Sequence, residues 1–482
     1  MTKHRDTFLR LAPLGLAVLC ALSGMPGQVV ARDPGRIERA PAEEPQRFIV
    51  KYRSDSQEHR DAAARERSLH RAASAVQVRD PSARGGMRAI RLQHVRRMAL
   101  GADVIVSSHA LDRAAADTLM RRFATDPRVE YVEVDARMHP ALEPNDPQYA
   151  SAQWHYKAPI TGRYGINAPL AWDRASGAGV VVAVLDTGST VHSDMQGQTV
   201  PGYDFIADLK TAGDGNGRDA DPSDPGDGAS SGKCRGDSSW HGTHVAGTIA
   251  ASTNNGAGVA GVARGARVQH VRVLGRCGGW TSDIADGIVW ASGGSVAGAP
   301  ANATPAKVLN LSLGGSGSCS TTYQTAINAA VSRGATVVVA AGNDSGDASR
   351  YQPSSCQNVI AVGASSPQGL RAIRPNWWSS NYGPAVDIAA PGMDVMSTVN
   401  TGRYAPGAEG YGAWDGTSMA TPHVAGIVAL MQSVRLAGAA LSPAQVEQLL
   451  KANVTAFPST PDRPIGTGIA NADAAVRAAQ AF

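Results

Sequence analysis

The sequence predicts an α/β fold, a parallel sheet flanked by helices, preceded by a small α+β module. From residue 141 onward, apolar stretches recur at 180–185, 268–274, 307–313, 336–341, 359–362 and 386–389, each followed by a glycine-containing loop and a helical stretch. Strands that are apolar at every position, rather than every second one, are buried on both faces, so helices must cover both sides of the sheet. The composition also changes abruptly near Pro140. Residues 32–140 are arginine-rich and contain neither Cys nor Trp, and Pro144-Asn145-Asp146-Pro147 marks a linker into a chain rich in Gly, Ala, Ser and Val.

A length of 482 residues exceeds a typical single domain and fits one large unit with a smaller one. Residues 1–31 have the layout of a secretory signal peptide: basic Lys3, Arg5 and Arg10, an apolar run at 11–22, and small residues ending at Ala31. That run is too short for a comfortable membrane span. Residues 32–46 are polar, contain proline and read as disordered. Strands are then expected at 48–52, 102–107 and 129–134 and helices at 57–75 and 111–124, an order compatible with an α+β module over about 47–136.

Removal of residues 1–31 leaves four cysteines, Cys234, Cys277, Cys319 and Cys356. An even number in an exported chain suggests two disulfides. Three pairings are possible; Cys234 with Cys277 and Cys319 with Cys356 closes the shorter loops. The formal charge of +4 is unevenly spread: residues 32–140 carry 21 basic against 16 acidic side chains, residues 141–482 carry 21 against 24. Without a basic stripe interleaved with aromatics on the larger part, nucleic acid is not an expected partner.

Three motifs carry chemistry. Val184-Leu185-Asp186-Thr187-Gly188 places a carboxylate directly after an apolar strand. Alone it could cap a turn. With Asp344-Ser345-Gly346 it could also suggest a pair of aspartates sharing a proton, but proteases of that kind are β-rich. His241-Gly242-Thr243-His244-Val245-Ala246-Gly247 opens a helix. Two His at i and i+3 could bind a metal, yet the Glu of H-E-x-x-H is missing, so His241 is read as a general base and His244 as a packed structural histidine. Gly416-Thr417-Ser418-Met419-Ala420-Thr421-Pro422-His423-Val424-Ala425-Gly426 puts Ser418 where a loop enters an apolar helix. Pro422 is expected in the first turn, where N–H groups are unpaired anyway. A serine there is an ordinary cap; beside a base it becomes a nucleophile, with free N–H groups and the helix dipole favouring an oxyanion. A hydroxyl needs a base at neutral pH, and an imidazole needs a carboxylate to fix its tautomer.

In the order Asp, His, Ser, the segments around Asp186, His241 and Ser418 resemble the subtilisin family of serine proteases over roughly residues 141–482. The resemblance implies a subtilisin-like fold and a secreted endopeptidase that acts through an acyl-enzyme on Ser418. Asn343, in Ala340-Ala341-Gly342-Asn343, matches the oxyanion-hole residue. Ser312, Leu313 and Gly314 match the segment that pairs with substrate along one side of the specificity pocket, with Gly342 on its opposite wall and Asp344 near its rim. Gly278 resembles part of the opposing edge strand, with Trp280 near the binding site of the substrate's fourth residue. Asp194 and Asn255 match family ligands of structural calcium, oxygen donors suited to a hard cation. The acidic stretch Asp214-Gly215-Asn216-Gly217-Arg218-Asp219-Ala220-Asp221 is either a solvated loop or a second calcium site. Residues 32–140 would be a propeptide acting as intramolecular inhibitor, cut off autocatalytically within 138–146; a free-standing binding domain is the other reading of this module. The expected partners are polypeptide substrates, the enzyme a monomer free of membrane after signal removal, and no further domain is expected beyond a last helix at 472–481. From another class, a secreted binding protein on a dead protease fold is the alternative; the presence of all four chemical groups favours the enzyme.

Overall fold

The computed structural model describes residues 46–482 apart from 75, 80–86, 112, 136–142, 233 and 437. The expected signal peptide and most of the expected cleavage region lie outside the described residues. The chain divides into two compact units, Met1–His139 and Pro140–Phe482.

In the first unit an antiparallel sheet runs in the order β2-β3-β1-β4, with β1 Arg47–Tyr52, β2 Leu92–Arg97, β3 Asp103–Ser107 and β4 Val129–Val134. Helices α1 (Ala62–Ala73) and α2 (Arg113–Ala124) contribute Leu69, Leu119 and Phe123 to a core completed by Phe48, Val50 and Ile105. The helix expected at 57–75 is broken: Asp61 is extended (φ −116°, ψ 124°) and its carboxylate accepts the Ala63 N–H, so it caps α1 after a single turn at Gln57–Arg60. The strand β2 was not expected, because His94, Arg96 and Arg97 hide its alternation. Two of these side chains are met by Asp103, which is 1 % exposed and bonds both His94 and Arg97.

The second unit is built on a nine-stranded sheet. Seven of its strands are β5 Val181–Asp186, β6 Thr199–Asp204, β7 Arg267–Arg272, β8 Val308–Leu311, β9 Thr336–Ala340, β10 Ile360–Ser365 and β11 Ile388–Pro391. They stand parallel in the order β11-β10-β9-β8-β5-β7-β6, followed beyond β11 by the short pieces Ile469–Ala470 and Val454–Thr455. Only Val454–Thr455 runs antiparallel to its neighbour. The apolar runs are explained by two cores. In β5, Val182 and Val184 join one core with α3 (His241–Ala250) and with the helix at Thr417–Ser433, while Ala183 and Leu185 join the other with α4 (Thr281–Ala291) and α5 (Thr321–Ser332). The Thr417–Ser433 helix, α6, is buried almost all round, which is why it lacks an amphipathic pattern. The edge strand β6 gave no sequence signal because Pro201 and Gly202 interrupt it, as an edge permits. The disulfides pair Cys234 with Cys277 and Cys319 with Cys356.

Candidate active site

Asp186 ends β5 and is fully buried. From β5 the chain builds β6 and β7 on one side, then crosses to β8 on the other. Asp186 therefore occupies the carboxyl end of the strand where the order reverses, the place at which such sheets bind ligands. His241 is the first residue of α3, and its Nδ1 lies 2.8 and 2.9 Å from the two carboxylate oxygens of Asp186. A carboxylate only accepts, so Nδ1 carries the proton and Nε2 keeps its lone pair. The helix start is anchored: the Thr187 hydroxyl accepts the Gly242 N–H at 3.0 Å, and the Thr187 N–H donates to Asp186 at 2.8 Å. A side chain at 242 would reach 2.2 Å from the Gly188 carbonyl oxygen, so glycine is required for this approach. Burial pushes the His241 ring down, but the charge and hydrogen bond of Asp186, helped by Asp227 and Asp224, outweigh it and leave the ring above 6.5. His244 is fully buried, bonds the carbonyls of Val395 and Gly412 through Nε2 and stacks on Trp414 at 4.4 Å, as a structural histidine should.

Ser418 is the second residue of α6. Its hydroxyl donates to the Ser312 carbonyl at 3.2 Å, and the Ser312 hydroxyl donates back to the Ser418 carbonyl at 2.8 Å. That second bond corrects the placement of Pro422, which lies inside the helix and not in its first turn. A proline has no N–H for the carbonyl four residues earlier, which here is Ser418's, and the Ser312 hydroxyl takes its place. Asn343 follows β9; its Oδ1 accepts both the N–H (2.9 Å) and the hydroxyl (3.0 Å) of Thr417, and its Nδ2 lies 3.7 Å from where a Cβ on Gly416 would stand. Two recesses flank these groups. One of about 190 Å³ is lined by Leu313, Gly314, Gly342, Asn343, Asp344 and Ser418. The other, of about 360 Å³, is lined by Thr187, Asp227, Asp237, His241, Gly278 and Ser312 among others. Trp280, 62 % exposed at the start of α4, is not among its lining residues. The stretch expected as an edge strand at Gly278 is a tight turn instead, Gly275 pairing with Gly278. Cys277 at its tip is left-handed (φ 68°) and tied to Cys234.

The model of the subtilase family, peptidase S8, matches residues 177–468. The chain belongs to the subtilase family. It is similar to an extracellular protease of Xanthomonas campestris pv. campestris, 53 % identical over 445 residues that cover 91 % of this chain and 74 % of that protein. An extracellular basic protease of Dichelobacter nodosus is 45 % identical over 443 residues, covering 90 % and 70 %. Among solved structures, a protease of Pseudoalteromonas arctica superposes with a TM-score of 0.66 at 52 % identity, covering 70 % of this chain and 99 % of that one. This subtilase is a serine protease with the expected subtilisin-like fold.

Asp194 and Asn255 meet: the Asn255 amide donates to Asp194 Oδ1 at 2.7 Å, and the Val259 N–H donates to Oδ2 at 2.9 Å. Sequence reasoning missed their companion Asp146, 1 % exposed, whose carboxylate accepts the N–H groups of Asn254 and Asn255. It sits in a Pro-Asn-Asp-Pro stretch that reads as a linker, and only the fold brings it here. Burial raises the carboxyls of both Asp146 and Asp194, and neither has an Arg or Lys ion-pair partner among the described residues. Two buried carboxylates without an Arg or Lys partner among the described residues, and an amide group beside them, suit a hard cation. Among the described residues there is no group of three or more His, Cys, Asp or Glu poised to hold a metal, so backbone carbonyls and Asn255 would have to complete the set. In the acidic stretch, Asp214 pairs with Arg272, and Asp219 and Asp221 accept loop N–H groups, as a self-satisfied loop does.

Proposed function

We propose that this subtilase is a secreted serine endopeptidase, made as a zymogen, that cleaves peptide bonds through an acyl-enzyme on Ser418. The bidentate contact of fully buried Asp186 with His241 Nδ1 carries this reading, because it leaves Nε2 as the free base beside the helix that bears the serine. Rotation of the Ser418 hydroxyl from the Ser312 carbonyl to Nε2 prepares the attack, a bond that tightens when substrate displaces the first. His241 takes the hydroxyl proton and returns it to the leaving amine. Asn343 Nδ2 and the Ser418 N–H stabilise the oxyanion at the helix N-terminus. Substrate lies along Ser312, Leu313 and Gly314, with its P1 side chain in the recess walled by Gly342. The secreted, extracellular setting is supported by the signal-like start and by relatives named extracellular proteases. No helix among the described residues is long and apolar enough to cross a membrane. A serine-directed fluorophosphonate is expected to label the mature enzyme and not the Ser418→Ala variant; an unlabelled wild type overturns the reading.

Since His241 must be neutral to accept the proton and is held above 6.5, kcat/KM should rise with pH through a midpoint above that value. A profile already flat at pH 6 contradicts the role. Calcium bound by Asp194, Asn255 and Asp146 would neutralise the buried carboxylates and thereby stabilise the fold. At pH 7.5, EDTA is expected to lower the melting temperature of the mature enzyme by several degrees, with calcium restoring it. In Asp194→Asn the two curves should coincide.

A further inference from the structure

Asp224 belongs to a stretch that runs beside the turn after Asp186. The Ser189 N–H donates to the Pro222 carbonyl at 3.2 Å and the Asp224 N–H to the Ser189 carbonyl at 2.8 Å. A Cβ on Gly188 would come within 2.4 Å of the Pro222 oxygen and 3.1 Å of the Asp224 nitrogen, so this glycine is what lets the two stretches touch. The Asp224 side chain is buried, 2 % exposed. Its Oδ1 accepts the Gly226 N–H at 2.9 Å, while Oδ2 is enclosed with no partner in hydrogen-bond geometry. An enclosed carboxylate oxygen without a donor is costly. The basic group that faces it, Arg272, spends its terminal nitrogens on Asp204, Asp214 and the Ala212 carbonyl, and its Nε is not in hydrogen-bond geometry with Asp224. The hydroxyl that faces it is Thr187's. Because Thr187 Oγ1 receives the Gly242 N–H on a lone pair, its single proton is the one left to direct at Asp224.

We propose that Asp224 is a positioning residue for the proton-transfer pair: Oδ2 accepts the Thr187 hydroxyl, which aims the Thr187 lone pair at Gly242 N–H and fixes the helix start bearing His241, and its charge adds to Asp186's on the imidazolium. This rests on the reading of Asp186, His241 and Ser418 given above. The charged groups facing His241 are Asp186, Asp227 and Asp224, with His244 held neutral by burial and by His241 itself. Those facing Asp224 are Asp227, Arg272 and, in turn, His241. Burial raises the Asp224 carboxyl to about 6, so it is charged wherever His241 is neutral.

The test compares mature enzymes produced from the full chain, normalised by fluorophosphonate titration of Ser418. Asp224→Asn is expected to lower kcat about tenfold, the equivalent of one hydrogen bond to a charged group, with KM unchanged. The acid limb of its kcat/KM profile should move to lower pH. Thr187→Val, which leaves the Asp224 charge in place, should match the fall in kcat with a smaller movement of the limb. The double variant should lose no more kcat than Asp224→Asn alone, and Thr187→Ser should keep the wild-type kcat and limb. An Asp224→Asn enzyme with wild-type kcat and acid limb overturns the proposal even if its melting temperature falls, since a purely structural role moves only the latter. If that variant does not fold, Thr187→Val and Thr187→Ser decide: equal kcat values in the two overturn it. Failure of the wild type to label sinks the triad reading itself, a result distinct from a labelled wild type with unaffected variants.

Discussion

Asp186→Asn is expected to lower kcat about 10⁴-fold at neutral pH, with KM little changed, the magnitude being that of the same substitution in an unrelated serine protease. Both Asp186 oxygens contact His241 Nδ1, and one also receives the Thr187 N–H. An asparagine in the same fully buried place presents an amide nitrogen at one of those positions. The imidazole then moves its proton to Nε2 to accept from that amide, and the nitrogen that must receive the Ser418 proton is already protonated. Volume barely changes, so the fold should survive. The measurement is kcat on a peptide substrate per mole of correctly folded protein; a variant retaining a tenth of wild-type kcat would mean that Asp186 orients nothing.

The second large effect is at Asn343. Asn343→Ala removes the amide beside the Ser418 turn and should cost about 10²–10³ in kcat, a value known from a subtilisin rather than obtained from this structure. On the proposed role, in which the amide meets charge that exists only in the transition state, KM should be nearly unchanged. Asn343→Ala also strips Thr417 of the acceptor for its N–H and hydroxyl. Asn343→Asp keeps that acceptor and loses the donor, so it separates the two roles: an Asp variant as slow as the Ala variant assigns the loss to the oxyanion. A KM that rises in step with the fall in kcat would assign Asn343 to substrate binding instead.

The sequence made the central sheet legible because its inner strands are enclosed on both faces, which leaves no polar position to confuse the signal in Val181–Asp186 or Thr336–Ala340. The outer elements were hidden for the converse reason. Thr199–Asp204 tolerates proline and glycine at an edge, and Leu92–Arg97 carries charges that are answered only by Asp103 and other distant partners. The hairpin of Val395–Asn400 with Glu409–Trp414 was missed as well, its second strand diluted by Gly410 and Gly412. At the site, Asp186, His241 and Ser418 stood out together, because short motifs at a strand exit and two helix starts follow in the order Asp, His, Ser, although taken singly each admits an ordinary structural role. Asp146, Thr187 and Asp224 did not. Each is one more polar residue in a turn by local pattern, and what it does depends on a neighbour far along the chain, as in Thr187 with Gly242, 55 positions on, or Asp146 with Asn255, 109 positions on.

The proline in α6 has a consequence for how the protease keeps its alignment. Since Pro422 cannot close the helix on Ser418, the carbonyl of this proposed nucleophile is fastened to Ser312 across 106 positions of chain. The proposed rail for a substrate backbone and the residue proposed to attack it thus share one fastening. Any shift of the helix start against the end of β8 therefore has to stretch the paired Ser312–Ser418 hydrogen bonds.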